Sequence, residues 1–247
     1  MIASKRRDEI LRMVQTNGSV STADIAKELS VSIETVRKDL LALSNAGLLI
    51  KRFGGAQAIG DLPFEDRSSI NSVAKNRIAM RAIQMIQNGN IIFIDSGSTT
   101  LCLAKQFQDL PNVSVLTNSF KAVEPLAAVL TNLFFMGGQV DANAMDTTGL
   151  WFSQTLATIQ IDIAFLGTNG FHSHSGPCSL TFADASAKTE VVKNAKKSVV
   201  LADGSKFTSN SIIQYASWKE IDTLITDESA PADIIDIISK DTTVIVV

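Results

Sequence analysis

Val31-Ser32-Ile33-Glu34-Thr35-Val36-Arg37-Lys38-Asp39-Leu40 decides how the first sixty residues of this 247-residue chain are read. Ser32 is placed to cap a helix, since its hydroxyl can accept a free N–H of the first turn. Ile33, Val36, Leu40 and Leu43 recur at helical spacing and are expected to face inward. Upstream, Ser21-Thr22-Ala23-Asp24 has the spacing of a capping box, and Ile25, Ala26 and Leu29 continue a helix from it. Ser30-Val31-Ser32 separates the two. Short helices joined by about three residues have helix-turn-helix geometry. Before them, Ile10, Leu11, Met13 and Val14 mark another helix, stopped by Thr16-Asn17-Gly18-Ser19 with Gly18 in the left-handed conformation.

The outward positions of the last of these helices are Glu34, Thr35, Arg37 and Lys38, with Asn45 further on. A recognition helix sets its N-terminal side chains against base edges in the major groove. Thr35 can touch a thymine methyl, and Arg37 or Lys38 can pair with guanine or phosphate. Thr22 and Ser32, at the two helix starts, complete this candidate DNA-facing set with Glu34. By residue type alone, a plain solvated helix face fits equally well. The next stretch separates the two readings. Ala46-Gly47-Leu48-Leu49-Ile50-Lys51-Arg52-Phe53-Gly54-Gly55-Ala56 reads as strand, turn, strand, with the glycines permitting a tight hairpin. Lys51 and Arg52 at its tip would meet phosphates, as the wing of a winged helix does.

The run 31–40, with a wing ending in Gly54-Gly55-Ala56, resembles the DNA-binding signature of the DeoR-type regulators over roughly residues 5–57. Lys38 stands where a second Arg is usual in that pattern, and Phe53 where His or Tyr is frequent. The resemblance implies a double-stranded DNA operator as partner.

Charge is distributed accordingly. Residues 1–60 carry nine Lys or Arg against six Asp or Glu, whereas the whole chain has a net charge of -3. A basic module on an acidic body is the expected arrangement. Cys102 and Cys178 are far apart and outside any CxxC pattern, which excludes a disulfide framework or a zinc finger of ordinary spacing. The N-terminus lacks the apolar core of a signal peptide, and no apolar run has the ~20 residues of a membrane helix. The expectation is a cytoplasmic protein without membrane contact.

A boundary is expected in the polar stretch around Gly60, Asp61 and Pro63, giving a winged helix-turn-helix over 1–57, a linker over 58–72 and an α/β domain over 73–247. In that domain Ile78, Ala82, Ile83 and Ile86 recur at helical spacing. Apolar runs follow at Ile91–Ile94, Val113–Leu116, Leu133–Phe135, Ile161–Leu166, Val199–Leu201, Leu224–Ile225 and Val244–Val247. Short non-alternating strands between helices argue a largely parallel sheet covered on both faces.

Ligands of such sheets sit beyond the carboxyl ends of the strands. There the sequence places Asp95-Ser96-Gly97-Ser98-Thr99-Thr100, Thr117-Asn118-Ser119, Gly137-Gly138 and Gly167-Thr168-Asn169-Gly170. Hydroxyls and glycines before a helix leave N–H groups free to hold a phosphate. No Lys follows the first loop, so it is not a Walker A loop. Each loop alone could be an ordinary turn, and four together are the stronger signal. His172, His174 and Cys178 invite a metal site, but one fixed donor short, and a polar ligand-facing loop is the preferred reading.

These loops, with Asp162-Ile163-Ala164-Phe165-Leu166-Gly167, Lys188 and Asp203-Gly204-Ser205-Lys206-Phe207, resemble the sensor domain of the same regulators. That domain is similar in fold to ribose-5-phosphate isomerase and glucosamine-6-phosphate deaminase. The resemblance implies a phosphorylated sugar or related effector, with Ser96–Thr100 on the phosphate and positive charge from Lys188 and Lys206. Lys188 also reads as a lysine on a solvated helical face. No cofactor is implied, and a homodimer or homotetramer is expected because operator symmetry mirrors protein symmetry. The rival readings are a sugar-phosphate enzyme using Asp95, Asp184 or Asp203 as base, and an architectural DNA-binding protein without ligand. The winged-helix pattern has no place in the first, and the hydroxyl-rich strand ends have none in the second. A transcriptional regulator, a repressor of carbohydrate metabolism without enzymatic activity, is the expectation.

Overall fold

The computed structural model describes residues 3–17, 19–45, 48–57, 64–108, 112–209 and 211–247. The turn expected at Gly18, the start of the wing at 46–47 and residues 58–63 of the expected linker lie outside them. The chain divides into two compact units, Met1–Ile70 and Asn71–Val247.

The first unit contains helices α1 (Ala3–Asn17), α2 (Thr22–Glu28) and α3 (Ile33–Asn45), and strands β1 (Ser19–Ser21), β2 (Ile50–Arg52) and β3 (Gly55–Gln57). Ser21 Oγ accepts the Asp24 N–H at 3.0 Å and so starts α2. Ser32 Oγ accepts the Thr35 N–H at 3.1 Å and starts α3. Each cap relieves one unpaired donor of a first turn. Ile10, Val14, Ile25, Val36, Leu40, Leu43, Leu49 and Ala56 form the core that the apolar stripes required. Burying a side chain of this size stabilises by about 1.5–3 kcal/mol. Ile33 departs from expectation: it is 46% exposed, although Val36, three residues on, is fully buried.

Asp39 is 2% exposed within this unit. Its two carboxylate oxygens accept from Arg6 Nε at 2.5 Å and Arg7 Nε at 2.8 Å. Burial alone would raise its pKa, and the two guanidiniums outweigh burial and hold it below the usual carboxylate range. The wing strands pair in the order β1-β3-β2, all antiparallel. Gly54 takes φ +79° at the turn. Gly55 is required for a different reason: a Cβ there would lie 2.3 Å from the Val20 carbonyl oxygen. A further helix, α4 (Phe64–Ser69), falls inside the stretch expected as linker.

The second unit opens with α5 (Ser72–Ile83) and continues β4 (Ile91–Ile94), α6 (Ser98–Ala104), β5 (Ser114–Thr117), α7 (Phe120–Ala127), β6 (Leu133–Phe135), β7 (Gln139–Asp141), β8 (Asp146–Thr148), α8 (Leu150–Leu156) and β9 (Ile163–Leu166). Then come β10 (Cys178–Ser179), α9 (Phe182–Asn194), β11 (Ser198–Leu201), β12 (Ile213–Gln214), β13 (Thr223–Thr226), α10 (Ala232–Ile238) and β14 (Thr243–Val246). All seven apolar runs become strands of one sheet, ordered β14-β13-β11-β9-β4-β5-β6, with every pairing parallel. Ile92, Phe93, Ile94, Phe165, Leu166, Val200, Leu224 and Ile225 are buried along it, as strands covered on both faces must be.

Candidate functional site: the strand-end crevice and the winged helix

From β4 the chain winds outward through β5 to β6, then returns to the other side of β4 with β9 and winds outward through β11, β13 and β14. The reversal between β4 and β9 is the topological switch point, where open parallel sheets bind ligands beyond the strands' carboxyl ends. Asp95 follows β4 and Gly167 follows β9. The Gly167 N–H donates to Asp95 Oδ2 at 2.8 Å, and the Asp95 N–H donates to the Phe165 carbonyl at 3.0 Å. The residues expected at the two strand ends therefore meet.

Helix α9, capped by Thr181 Oγ on the Asp184 N–H, brings Asp184 and Lys188 to the same place. Lys188 Nζ lies 2.8 Å from Asp184 Oδ2 and 3.3 Å from Asp95 Oδ2. It is 4% exposed, which overturns the reading as a lysine on a solvated face. Ala185 and Ala187 are small enough to let that part of α9 sink inward. Burial opposes the lysine's charge, yet Asp184 and Asp95 hold its pKa above the ordinary value. The Tyr215 ring lies 5.7 Å from Nζ, and its hydroxyl donates to the Gly167 carbonyl at 2.8 Å.

A third carboxylate was not expected. Asp146, in β8, is 2% exposed. Helix α9 packs against β8, and Ser96 Oγ donates to the Ala144 carbonyl at 2.9 Å, tying the β4 loop to the turn before β8. Burial, then the nearby Asp184 and Asp95, push the Asp146 carboxyl up to about 7. Burial also lifts Asp95, even against the pull of Lys188. Local sequence offers little sign of this, since Asp146 stands in the polar run Asp146-Thr147-Thr148, which carries no apolar residue.

The remaining expected ligand residues divide by what occupies them. Ser98 and Thr99 side chains make no hydrogen bond among the described residues, and the first N–H to return into α6 is that of Leu101, on Gly97 O at 2.9 Å. Thr100, by contrast, donates to Gly97 O at 3.0 Å. Thr117 donates to Ile94 O at 2.7 Å and accepts the Ser119 N–H, so its hydroxyl belongs to the sheet and the expectation that it contacts a ligand is corrected. Asn118 Nδ2 donates to Thr147 O at 3.1 Å, while its Oδ1 is buried without a partner. Gly137 is open, whereas a Cβ at Gly138 would lie 2.3 Å from the Thr148 carbonyl oxygen, so Gly138 serves packing against β8.

Asp203 ends β11 at 1% exposure and spends its Oδ1 on the Ser205 N–H and hydroxyl and on Asn71 Nδ2 at 2.9 Å. That oxygen caps the 3-10 turn Gly204–Phe207. Lys206, on that turn, is half-buried. In the loop after β9, His174 Nε2 is 3.0 Å from the Ser211 carbonyl and Cys178 Sγ donates to Gly176 O at 3.4 Å.

In the first unit, Glu34, Arg37 and Lys38 are exposed along one side of α3, with Ser32 at its start and Thr35 half-buried beside them. Arg37 lies 3.7 Å from Glu34 across one turn. Lys51 and Arg52 are exposed on the wing, and Phe53 at its tip is fully exposed. Thr22 is the exception. It is 8% exposed and its N–H donates to the Gly54 carbonyl at 2.7 Å, so it joins α2 to the wing instead of facing outward. Ile33, expected inside, takes its place on the exposed surface at the start of α3.

The two units match two family profiles: residues 6–61 a DeoR-like helix-turn-helix domain, and residues 70–228 a DeoR C terminal sensor domain. Curated relatives extend over both. A putative aga operon transcriptional repressor of Escherichia coli O157:H7 is 28% identical over 93% of this chain and 88% of its own length. The glycerol-3-phosphate regulon repressor of Escherichia coli K12 is 25% identical over 97% and 96%. An L-fucose operon activator of Haemophilus influenzae is 30% identical over 91% and 92%. Among solved structures, ribose 5-phosphate isomerase A of Methanocaldococcus jannaschii is similar over 56% of this chain and 55% of its own, at 20% identity and a TM-score of 0.42.

Proposed function

The chain belongs to the DeoR family of transcriptional regulators, and from that premise we propose that it represses a carbohydrate-metabolism operon under the control of a phosphorylated sugar. The observation that carries the effector is the meeting of Asp95, Asp184 and Lys188 at the switch point, beside the unengaged hydroxyls of Ser98 and Thr99. A phosphate is placed on those hydroxyls and the N–H groups of the 96–99 loop, and the sugar on the carboxylates. DNA is read by Thr35, Arg37 and Lys38, with Ile33 against thymine methyls and Lys51 and Arg52 on phosphates. Among the described residues no helix is long and apolar enough to cross a membrane. As a DNA-binding regulator the protein is placed in the cytoplasm.

Catalytic turnover is not part of the proposal. A base must reach a substrate proton, and Asp95 is committed to Gly167 and Lys188. Two copies, or four, would set their winged helices on paired half-sites. The effector must then bind one arrangement of the copies more tightly than the other, since equal affinity shifts nothing.

The test is fluorescence anisotropy on the DNA upstream of the protein's own gene, with and without a panel of sugar phosphates and their unphosphorylated parents. A phosphorylated sugar should change operator affinity and its parent should not. If none of the panel changes affinity or melting temperature, the sensor reading is wrong. On the DNA side, Arg37→Ala should weaken specific binding by about 1–3 kcal/mol. Unchanged affinity would remove Arg37 from the interface.

A further inference from the structure

The crevice has more negative charge than a phosphate sensor requires. Asp95, Asp146 and Asp184 share Lys188, the cation among them, and that cation is already paired at 2.8 and 3.3 Å. A second phosphate-like anion near Lys188 would meet three carboxylates, not a free lysine. The Asp146 carboxylate accepts no hydrogen bond among the described residues, although the residue is 2% exposed.

One further group is left open beside it. Ser119 and Asp146 are antiparallel bridge partners, so their side chains project from the same face, and Ser119 Oγ is buried without a partner among the described residues. Asn118, one residue earlier, projects to the opposite face, with its Nδ2 on Thr147 O. A carboxylate can only accept from an added cation, and a hydroxyl oxygen can do the same. Buried polar groups left unmade in this way mark a place for a ligand group.

We propose that this corner of the crevice takes a protonated amine, so that the effector is an amino sugar phosphate, with Asp146 and Ser119 as the residues that select it. The inference rests on the reading of the crevice as a sugar-phosphate site and adds the chemistry of a second part of the ligand. A hydroxyl in the amine's place supplies one donor and no charge. An ammonium supplies three donors and offsets the surplus of carboxylates. The groups acting electrostatically on Asp146 are Asp184, Asp95 and Asp141 on the negative side and Lys188 on the positive.

Calorimetric titration of the full chain with glucosamine 6-phosphate and glucose 6-phosphate compares two ligands that differ in one amine for one hydroxyl. The amine ligand should bind about tenfold more tightly at pH 7, the worth of one charge-assisted hydrogen bond. In the wild-type chain this preference should shrink several-fold at pH 6, where the ligand stays protonated and Asp146 takes up a proton. Asp146→Asn should erase the preference. Equal binding, or tighter binding of glucose 6-phosphate, overturns the inference, as does a preference that survives Asp146→Asn. If neither binds while another sugar phosphate does, the amine assignment falls and the sensor reading stands. If no sugar phosphate binds, both fall.

Discussion

Buried carboxylates in the two units of this chain are solved in opposite ways. Asp39, in the winged-helix unit, has a guanidinium on each oxygen. Asp95, Asp146 and Asp184, in the α/β unit, have one lysine among three. The first is matched, and its pKa falls; in the second, burial and crowding push Asp146 and Asp95 up. A matched buried charge holds elements together, here α1 on α3. A mismatched one is held in place by the rest of the fold and marks where an outside group belongs.

The difference can be broken first at Asp39. Asp39→Ala should cost the winged-helix unit roughly 3 kcal/mol, because it removes the buried carboxylate that joins α1 to α3 through Arg6 and Arg7. Chemical denaturation should show it, and operator binding should go with it, while ligand-induced thermal shifts of the α/β unit persist. A loss under ~1 kcal/mol would mean that the matched pair contributes no more than a surface contact does.

Lys188→Met should come next, at ~2 kcal/mol at pH 8. With the cation gone, the three carboxylates repel, and lowering the pH should restore stability as Asp95 and Asp146 take up protons. Melting curves that lose equal stability at pH 8 and pH 5.5 would show that Lys188 acts by packing alone.

Asp146→Asn should have the reverse sign. The wild-type carboxyl, held up to about 7, favours its neutral form in the folded state. That contribution is complete below the ordinary carboxyl pKa and is lost as the pH rises through about 7. The amide has no such loss, so the variant should gain on the wild type by about 1–2 kcal/mol above pH 7 and gain nothing near pH 4. A flat difference in melting temperature across this range would place Asp146 in contact with solvent.

The smallest effect belongs to charges that neither region buries. Lys51→Ala should leave stability unchanged and lower the salt slope of operator binding by about one. An unaltered slope would take the wing off the phosphates.

Much of this was legible in the sequence because it is local. The caps at Ser21 and Ser32, the wing glycines and all seven sheet strands follow from spacing within a few residues. The placement of Asp95 and Gly167 followed from the rule for parallel strand ends. What escaped was of two kinds. Ile33 reads as core because its spacing fits the stripe, yet it is 46% exposed while Val36, three residues on, is fully buried. Lys188 and Asp146 owe their burial to elements distant in sequence, from Asp95 to Tyr215, and the Ala-rich stretch around Lys188 carries no apolar stripe that would reveal which side faces in. Thr117 and Asp203 were placed at strand ends, but composition does not show that the Thr117 hydroxyl and Asp203 Oδ1 are already engaged by neighbouring groups.

The bond from the Thr22 N–H to the Gly54 carbonyl, with Gly55 pressed against Val20, joins the start of the helix pair to the turn of the wing. The two parts that would grip DNA therefore cannot be adjusted separately. The domain works like a fixed-jaw gauge: an operator whose groove width departs from the setting must itself deform to fit, and its stiffness becomes part of what is being measured.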